Sequence, residues 1–363
     1  MTDRNTVKKI AASAVLVTAA ALALAGCGTP PSTSSTAGTN PPGASSFLAC
    51  MVSDQGGFDD KSFNQSGYEG LVKAQNELGV DIKTAESKNT TDFTPNLEAM
   101  QAQNCDLDIT VGFNLAEATK DQATKYPNSN FAIIDDNSID LPNVKSLVFK
   151  TSDAAFLAGY LAAAYTTTGT VATFGGMQIP SVTIFMDGFV DGVAQYNTDS
   201  GKTVKVLGWD KAAQNGTFTG DFEDQSKGQV TTKNFIDQGA DVILPVAGPV
   251  GNGAAAAAQD AGNVAIIWVD ADGYETSPQY QSLFLTSVMK EIGASVFDTI
   301  KASQSGAFSN TPYVGTLANG GVGIAPYHDF DSKIPQDVKD KIEQLKSEII
   351  AGTLKVTSPS DPQ

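Results

Sequence analysis

From Phe47 onward the chain repeats one unit: a short, nearly unbroken apolar run, a turn rich in Gly, Asp or Asn, then a stretch with helical spacing of apolar residues. The runs include FLACMVSD (47–54), LDITVGF (107–113), FAIIDD (131–136), KSLVFK (145–150), TVATFGG (170–176), KVLGWD (205–210), DVILPVAG (241–248), VAIIWVD (264–270) and SLFLTSV (282–288). Strands this apolar have no face to give to water, so they predict parallel sheets covered by helices on both sides. The intervening helical patterns fall over 63–79, 116–127, 153–165, 181–197, 224–238, 253–261 and 290–303, with a last amphipathic helix over 334–352. More strands are present than one sheet of this chain length needs. The expectation is an α/β protein of two doubly wound lobes, with the first boundary near Thr151.

In open α/β sheets, ligands collect at the carboxyl ends of the strands. Here those ends carry Asp54, Gly112-Phe113-Asn114, Asp135-Asp136, Gly175-Gly176, Trp209-Asp210, Ala247-Gly248 and Asp270. They are acceptors, amides, glycines and aromatics, with Lys211 and Lys290 as nearly the only bases. Such a lining suits a neutral ligand rich in O–H and N–H donors and repels phosphates and carboxylates. The turn DQGGFDDKSFNQSGYEG (54–70) concentrates the same chemistry. Its glycines let the backbone approach a ligand, Ser62 is placed to cap the following helix, and Phe63 offers a flat face for stacking. Asp54 and Asn64 supply directional hydrogen bonds.

Composition removes several alternatives. The net charge of −17 argues against a nucleic-acid partner. A single histidine, His328, leaves no basis for a His-rich metal site or a serine triad, and it reads as a surface or loop residue. No HExxH, P-loop or GxSxG is present, and the acidic turns lack a calcium-loop spacing, so neither metal nor cofactor is expected.

The N-terminus has its own logic. Arg4, Lys8 and Lys9 precede the apolar run 10–25, which ends in Leu24-Ala25-Gly26-Cys27 and resembles a bacterial lipobox. That resemblance implies a signal peptide over 1–26, lipid on Cys27 and a flexible tether over 27–45, whose Pro/Ser/Thr/Gly composition cannot form a core. The protein is then expected on the extracytoplasmic face of the cell membrane, held by its lipid. Cys50 and Cys105 remain, either as a disulfide or as two buried thiols.

The segments DQGGFDDKSFNQSGYEG (54–70), FAIIDD (131–136), DAAFLAGYLAA (153–163), FGGMQIPSVTIFMDGFVDG (174–192), FEDQSKGQ (222–229), GADVILPVAGPVGNG (239–253) and WVDADG (268–273) together resemble the BMP (basic membrane protein) family. These are substrate-binding lipoproteins of ABC transporters, some of which bind purine nucleosides. The resemblance implies a type I periplasmic-binding-protein fold whose lobes, 46–150 plus 286–310 and 151–285 plus 311–356, are joined by three crossovers and close on a ligand. It implies that Phe63 stacks on a purine and Asp135 bonds the base edge. Asp54, Asp270 and Lys290 would hold ribose hydroxyls, and Gly248 would contribute backbone bonds. A second aromatic would cover the other base face, either Phe185 or Phe222. The expected partners are a nucleoside, the permease subunits of an importer and the membrane. A neutral-sugar receptor of the same fold is the alternative, and a nucleoside hydrolase stands well below both.

Overall fold

The structure is a computed structural model that describes residues 47–362; the expected signal peptide over 1–26, the expected lipidation site Cys27 and the expected tether over 27–45 all lie outside the described residues. The first sheet is built from β1 (Leu48–Val52), β2 (Asp81–Ala85), β3 (Leu107–Val111), β4 (Asn130–Ile134) and β5 (Val144–Phe149). Between its strands run α1 (Phe63–Leu78), α2 (Phe93–Gln101) and α3 (Ala116–Lys125). The chain then enters α4 (Thr151–Tyr165) and a second sheet, which contains β6 (Thr170–Gly175), β7 (Lys205–Leu207), β10 (Val242–Val246), β11 (Ala265–Asp270) and β12 (Phe284–Lys290). A two-stranded ribbon, β8 (Trp209–Asp210) with β9 (Asn215–Gly216), interrupts this run. The helices of the second lobe are α5 (Pro180–Ser200), α6 (Gln225–Asp237), α7 (Val250–Ala261) and the short α8 (Gly273–Thr276).

The two sheets share one topology. With β13 (Tyr313–Gly315) and β14 (Val322–Ile324), the strand orders are β13-β5-β4-β3-β1-β2 and β14-β12-β11-β10-β6-β7. Every pairing in them is parallel except β12 with β14. Burial follows from this arrangement: β3, β10 and β11 are buried along their whole length, as near-continuous apolar runs demand.

Sheet membership places the crossings after Lys150, after Lys290 and after Gly315. The boundaries expected at 286 and 310 therefore shift. Val288–Lys290 still pair with β11 or β14, and Tyr313–Gly315 pair with Leu147–Phe149 in the first sheet. The polar pair Thr286-Ser287 interrupts the apolar run but stays buried inside β12, which runs on to Lys290, so polarity does not mark where the strand ends. After the second crossing, α9 (Ile292–Gln304) returns to the first lobe and packs on α1 where Gly70 meets Gly293. A Cβ on Gly70 would lie 2.3 Å from the Gly293 carbonyl oxygen. The last helix, α10 (Gln336–Ile350), buries Ile342, Leu345 and Ile349 and leaves its charges in solvent.

Three local departures have physical reasons. The strand expected over 205–210 breaks at Gly208, whose φ of +88° turns the chain into the β8–β9 ribbon. The edge strand β2 and the helix α2 were not anticipated, because DIKTA is largely exposed and lacks an apolar run. The helix α7 begins at Val250 rather than at 253, since Gly251 and Gly253 disguise its first turn. The cysteine question is settled in favour of a bond: Cys50 in β1 and Cys105 form a disulfide with their Cα atoms 5.9 Å apart.

Candidate functional site

The carboxyl ends of both sheets face one cleft, which encloses about 520 Å³ of empty space, part of it open to solvent. The first lobe contributes Asp54, Gln55, Phe63, Asn64 and Asp135 to its wall, with Gly112 and Phe113. Across from them the second lobe contributes Ser181, Phe185, Phe222, Gly248, Asp270 and Lys290. All nine ligand candidates read from the sequence thus line a single cavity.

At its centre is a buried cation. The Lys290 ammonium lies 2.6 Å from Asp135 Oδ2 and 2.9 Å from Asp270 Oδ1, with all three side chains less than a tenth exposed. Asp135 and Asp270 end β4 and β11, one in each lobe, and both hold left-handed backbone, with φ of +64° and +70°. The same ammonium sits 4.7 Å from the Phe63 ring centre and 5.3 Å from that of Phe185. Phe185 is thereby the aromatic of the second lobe that shares this cation with Phe63. Phe222 forms another part of the wall, packed on Gly176.

The turn at 54–70 is wired differently from the expectation that Ser62 caps α1. Ser62 stands at the cap position but makes no capping bond. Asp60 does that work instead, accepting from the amides of Ser62 (3.0 Å), Asn64 (2.8 Å) and Gln65 (3.0 Å). A carboxylate has two acceptor oxygens and can satisfy several orphan amides at a helix start, which one hydroxyl cannot. The Ser62 hydroxyl turns across the cleft, within 3.0 Å of both the Val269 carbonyl and Asp270 Oδ2. Trp268 adds a second crossing bond, donating its indole N–H to the Lys61 carbonyl at 3.3 Å. Asn64 is largely committed inside its own lobe: Nδ2 donates to Asp54 Oδ1 at 2.7 Å and Asp60 Oδ2 at 3.2 Å, and Oδ1 accepts from the Asp54 amide.

Electrostatics follow from burial. Desolvation pushes the Asp54 carboxyl well above the usual range, partly offset by Asn64 and reinforced by Asp60, Asp135 and Asp270. Asp60 is raised for the same first reason, against its three amide bonds. Burial pulls the Lys290 ammonium down, but Asp135 and Asp270 outweigh it and hold the proton on. One cation therefore faces four carboxyls, and the cavity favours hydrogen-bond donors over anions.

Two other features fall outside the cleft. His328 bonds Asp272 at 2.7 Å and stacks on Tyr274 with ring centres 4.0 Å apart, away from the cavity wall. Among the described residues, the one group of metal-competent side chains close enough to share an ion is Cys50, Cys105 and Asp108, whose two sulfurs are already joined.

Two similar lobes that close on a buried cleft of stacking and hydrogen-bonding groups define a solute-binding protein of the type I periplasmic-binding fold. The chain belongs to the Bmp family: the model for ABC transporter substrate-binding proteins described as PnrA-like matches residues 47–358. It is similar to the ABC transporter nucleoside-binding protein BmpA of Lactococcus lactis, at 31% identity over 97% of this chain and 99% of the relative. An uncharacterized lipoprotein of Pyrococcus abyssi is also 31% identical, over 88% of this chain and 76% of its own length. In structure the chain resembles an ABC transporter solute-binding protein from Aeropyrum pernix, with a TM-score of 0.79 and 26% identity over 87% of this chain and 94% of that one. The protein is a substrate-binding component of an ABC transporter. No helix among the described residues is long and apolar enough to cross a membrane.

Sequence reasoning passed over Asp60, Gln55 and Ser181. For Asp60 a signal existed, an acid two to five residues ahead of the amides it caps. For Gln55 and Ser181 the position was the signal: each sits one or a few residues past a strand end already picked out.

Proposed function

We propose that the protein is a receptor for a nucleoside, a purine nucleoside foremost, anchored through lipid on Cys27 at the extracytoplasmic face of the membrane and serving the permease of an ABC importer. The observation that carries this reading is the pair Phe63 and Phe185, flanking a Lys290 whose ammonium is shared by Asp135 and Asp270. Flat apolar faces beside clustered acceptors and one cation match a heteroaromatic base joined to a hydroxyl-rich sugar. The name of the Lactococcus relative supports the same ligand class, and the name of the Pyrococcus relative supports the anchor. Asp54, Asp270 and Lys290 are assigned to ribose hydroxyls, Asp135 to the base edge and Gly248 to backbone contacts. Phe222 is the competing second aromatic.

The test is calorimetric titration of the protein, unfolded and refolded to strip carried ligand, with guanosine, adenosine, inosine, cytidine and ribose. Micromolar or tighter purine-nucleoside binding, about −8 kcal/mol or better, that is lost in Phe63→Ala and in Asp135→Ala supports the reading. Heat only with sugars, or with none of the five, sinks it. For the anchor, Cys27→Ser should release the protein from the membrane fraction of cells that express it; retention would exclude lipid on Cys27.

A further inference from the structure

The polar side chains of the cavity divide into those already engaged and those left over. Asp54 is held by Asn64, and Asp60 is saturated by helix amides. Asp135 and Asp270 share Lys290, and Asp270 also takes the Ser62 hydroxyl. Gln55 is different. Its Oε1 is buried with no hydrogen-bond partner, and neither end of its amide bonds any described residue. On the opposite lobe, Ser181 in the first turn of α5 lines the same cavity, and its hydroxyl likewise has no partner among the described residues.

A buried amide oxygen without a partner is costly, and folded proteins rarely retain one that nothing satisfies. Gln55 follows Asp54 directly and precedes Gly56, where the turn approaches Pro249 of the second lobe. It therefore stands on the wall that meets α7 when the lobes come together. Because its amide supports nothing in the protein, its placement in the cavity has no structural account of its own.

We propose that Gln55 and Ser181 are the specificity-determining pair of this site. They are uncommitted hydrogen-bonding groups, one from each lobe, and the bound molecule must satisfy them with an N–H or O–H facing Gln55 Oε1 and a polar atom facing Ser181 Oγ. This rests on the proposed nucleoside reading only for the identity of the ligand. A ligand that bonds both is held by both lobes at once, so the two contacts reward closure as well as capture. An analogue with a methyl or a hydrogen where the Gln55-facing donor should be leaves that oxygen unpaired and is rejected.

The experiment is titration of the full-length protein with the five nucleoside and ribose ligands above plus glucose and galactose, for wild type, Gln55→Met, Ser181→Ala and the double variant. Whichever ligand binds wild type is the one compared. Gln55→Met keeps side-chain length and removes the hydrogen-bonding atoms, so affinity should fall roughly tenfold or more. Ser181→Ala should cost several-fold, and the double variant about the product of the two. The melting temperature should stay at or above that of wild type, since neither side chain supports the fold. Among analogues each lacking one donor, at least one should bind wild type and Gln55→Met equally, which identifies the group Gln55 reads. Affinities within twofold of wild type overturn the proposal, and so does a fall in affinity matched by a drop of several degrees in melting temperature. A wild type that binds a sugar but no nucleoside sinks the nucleoside reading alone, and the variants still decide the pair on that sugar. A wild type that binds nothing in the panel overturns both.

Discussion

Replacing Lys290 by Met tests the electrostatic core of the cleft. The Lys290 side chain is 2% exposed, and its ammonium touches one carboxylate from each lobe, at 2.6 and 2.9 Å. Removing one member of a buried ion pair typically costs about 3–5 kcal/mol, because the remaining charge stays desolvated. Here two carboxylates are left, but the molecule has an escape that a core ion pair lacks. Opening the hinge returns Asp135 and Asp270 to water. The cost should therefore fall on closure rather than on folding, so ligand affinity at pH 7.5 drops by about 10²- to 10³-fold while the melting temperature changes little. Acid should undo this. Burial already holds the Asp135 carboxyl above its usual range against the pull of Lys290; without the lysine that rise is unopposed, so the closed form binds its proton more readily and gains on the open form as pH falls. Calorimetric titration at pH 7.5 and 5.0, with small-angle scattering to follow closure, measures both effects. The Lys290→Met deficit should shrink at pH 5.0, whereas wild type, whose cation persists at both values, shows no comparable recovery. A deficit equal at the two pH values, or wild-type affinity at pH 7.5, would refute the argument that Lys290 neutralises the cleft.

Three further outcomes follow from local geometry. Asp60→Ala strips three amide bonds from the start of α1 and should destabilise the protein by about 1–2 kcal/mol in a denaturant titration. Ser62→Ala, which removes only bonds across the cleft, should leave stability near wild type and weaken ligand binding; equal destabilisation by the two would contradict the assignment of the cap. Cys50→Ser should cost about 4 kcal/mol, the chain-entropy value for a bridge spanning 55 residues, read as a lower melting temperature in the absence of reductant. Burial, opposed by the Gln101 amide, pushes Asp108 to about 7. Since its folded pKa lies above its unfolded one, the folded state holds the extra proton below about pH 7, and stability is lost as pH rises from about 4 toward 7. Asp108→Asn should accordingly raise the melting temperature at pH 8 more than at pH 5, and a uniform shift would count against a buried, protonating carboxyl.

Much of the fold was legible because strands buried on both faces need apolar residues at every position, and that pattern has few other meanings. The site was legible for a related reason: parallel strands direct their carboxyl ends to one side, so Asp54, Asp135 and Asp270 had to share a neighbourhood once the βα order was read. What stayed hidden depends on contacts between distant segments. An edge strand such as Asp81–Ala85 is defined by its neighbour, not by its own hydrophobicity. The choice between Asp60 and Ser62 as the cap depended on whether the second lobe offered Ser62 a better partner. Position along the chain could not reveal that Val269 and Asp270 do. The crossings near 290 and 315 were displaced because a strand's end is set by the last residue that finds a pairing partner.

The matching strand orders of the two sheets explain why the cleft has this charge. β4 and β11 occupy the same place in their sheets, and each leads into an aspartate with left-handed backbone, Asp135 and Asp270. That conformation is unfavourable for a residue with a Cβ and persists only where surrounding structure enforces it. Here it turns two carboxylates from equivalent positions toward a common axis, where they would repel one another unless a cation intervened. Equivalent positions also supply two lysines, Lys150 after β5 and Lys290 at the end of β12, each just before the helix that crosses to the other lobe. Only Lys290 is turned inward. Lys150 is engaged by Asp153 at 3.4 Å and by the Val356 carbonyl at 3.3 Å, on the C-terminal segment that follows α10. A repeated framework thus delivers two acids but one available cation. The cleft is left with an excess of acceptors and no spare positive charge, a balance that favours a ligand bringing donors over one bringing a phosphate.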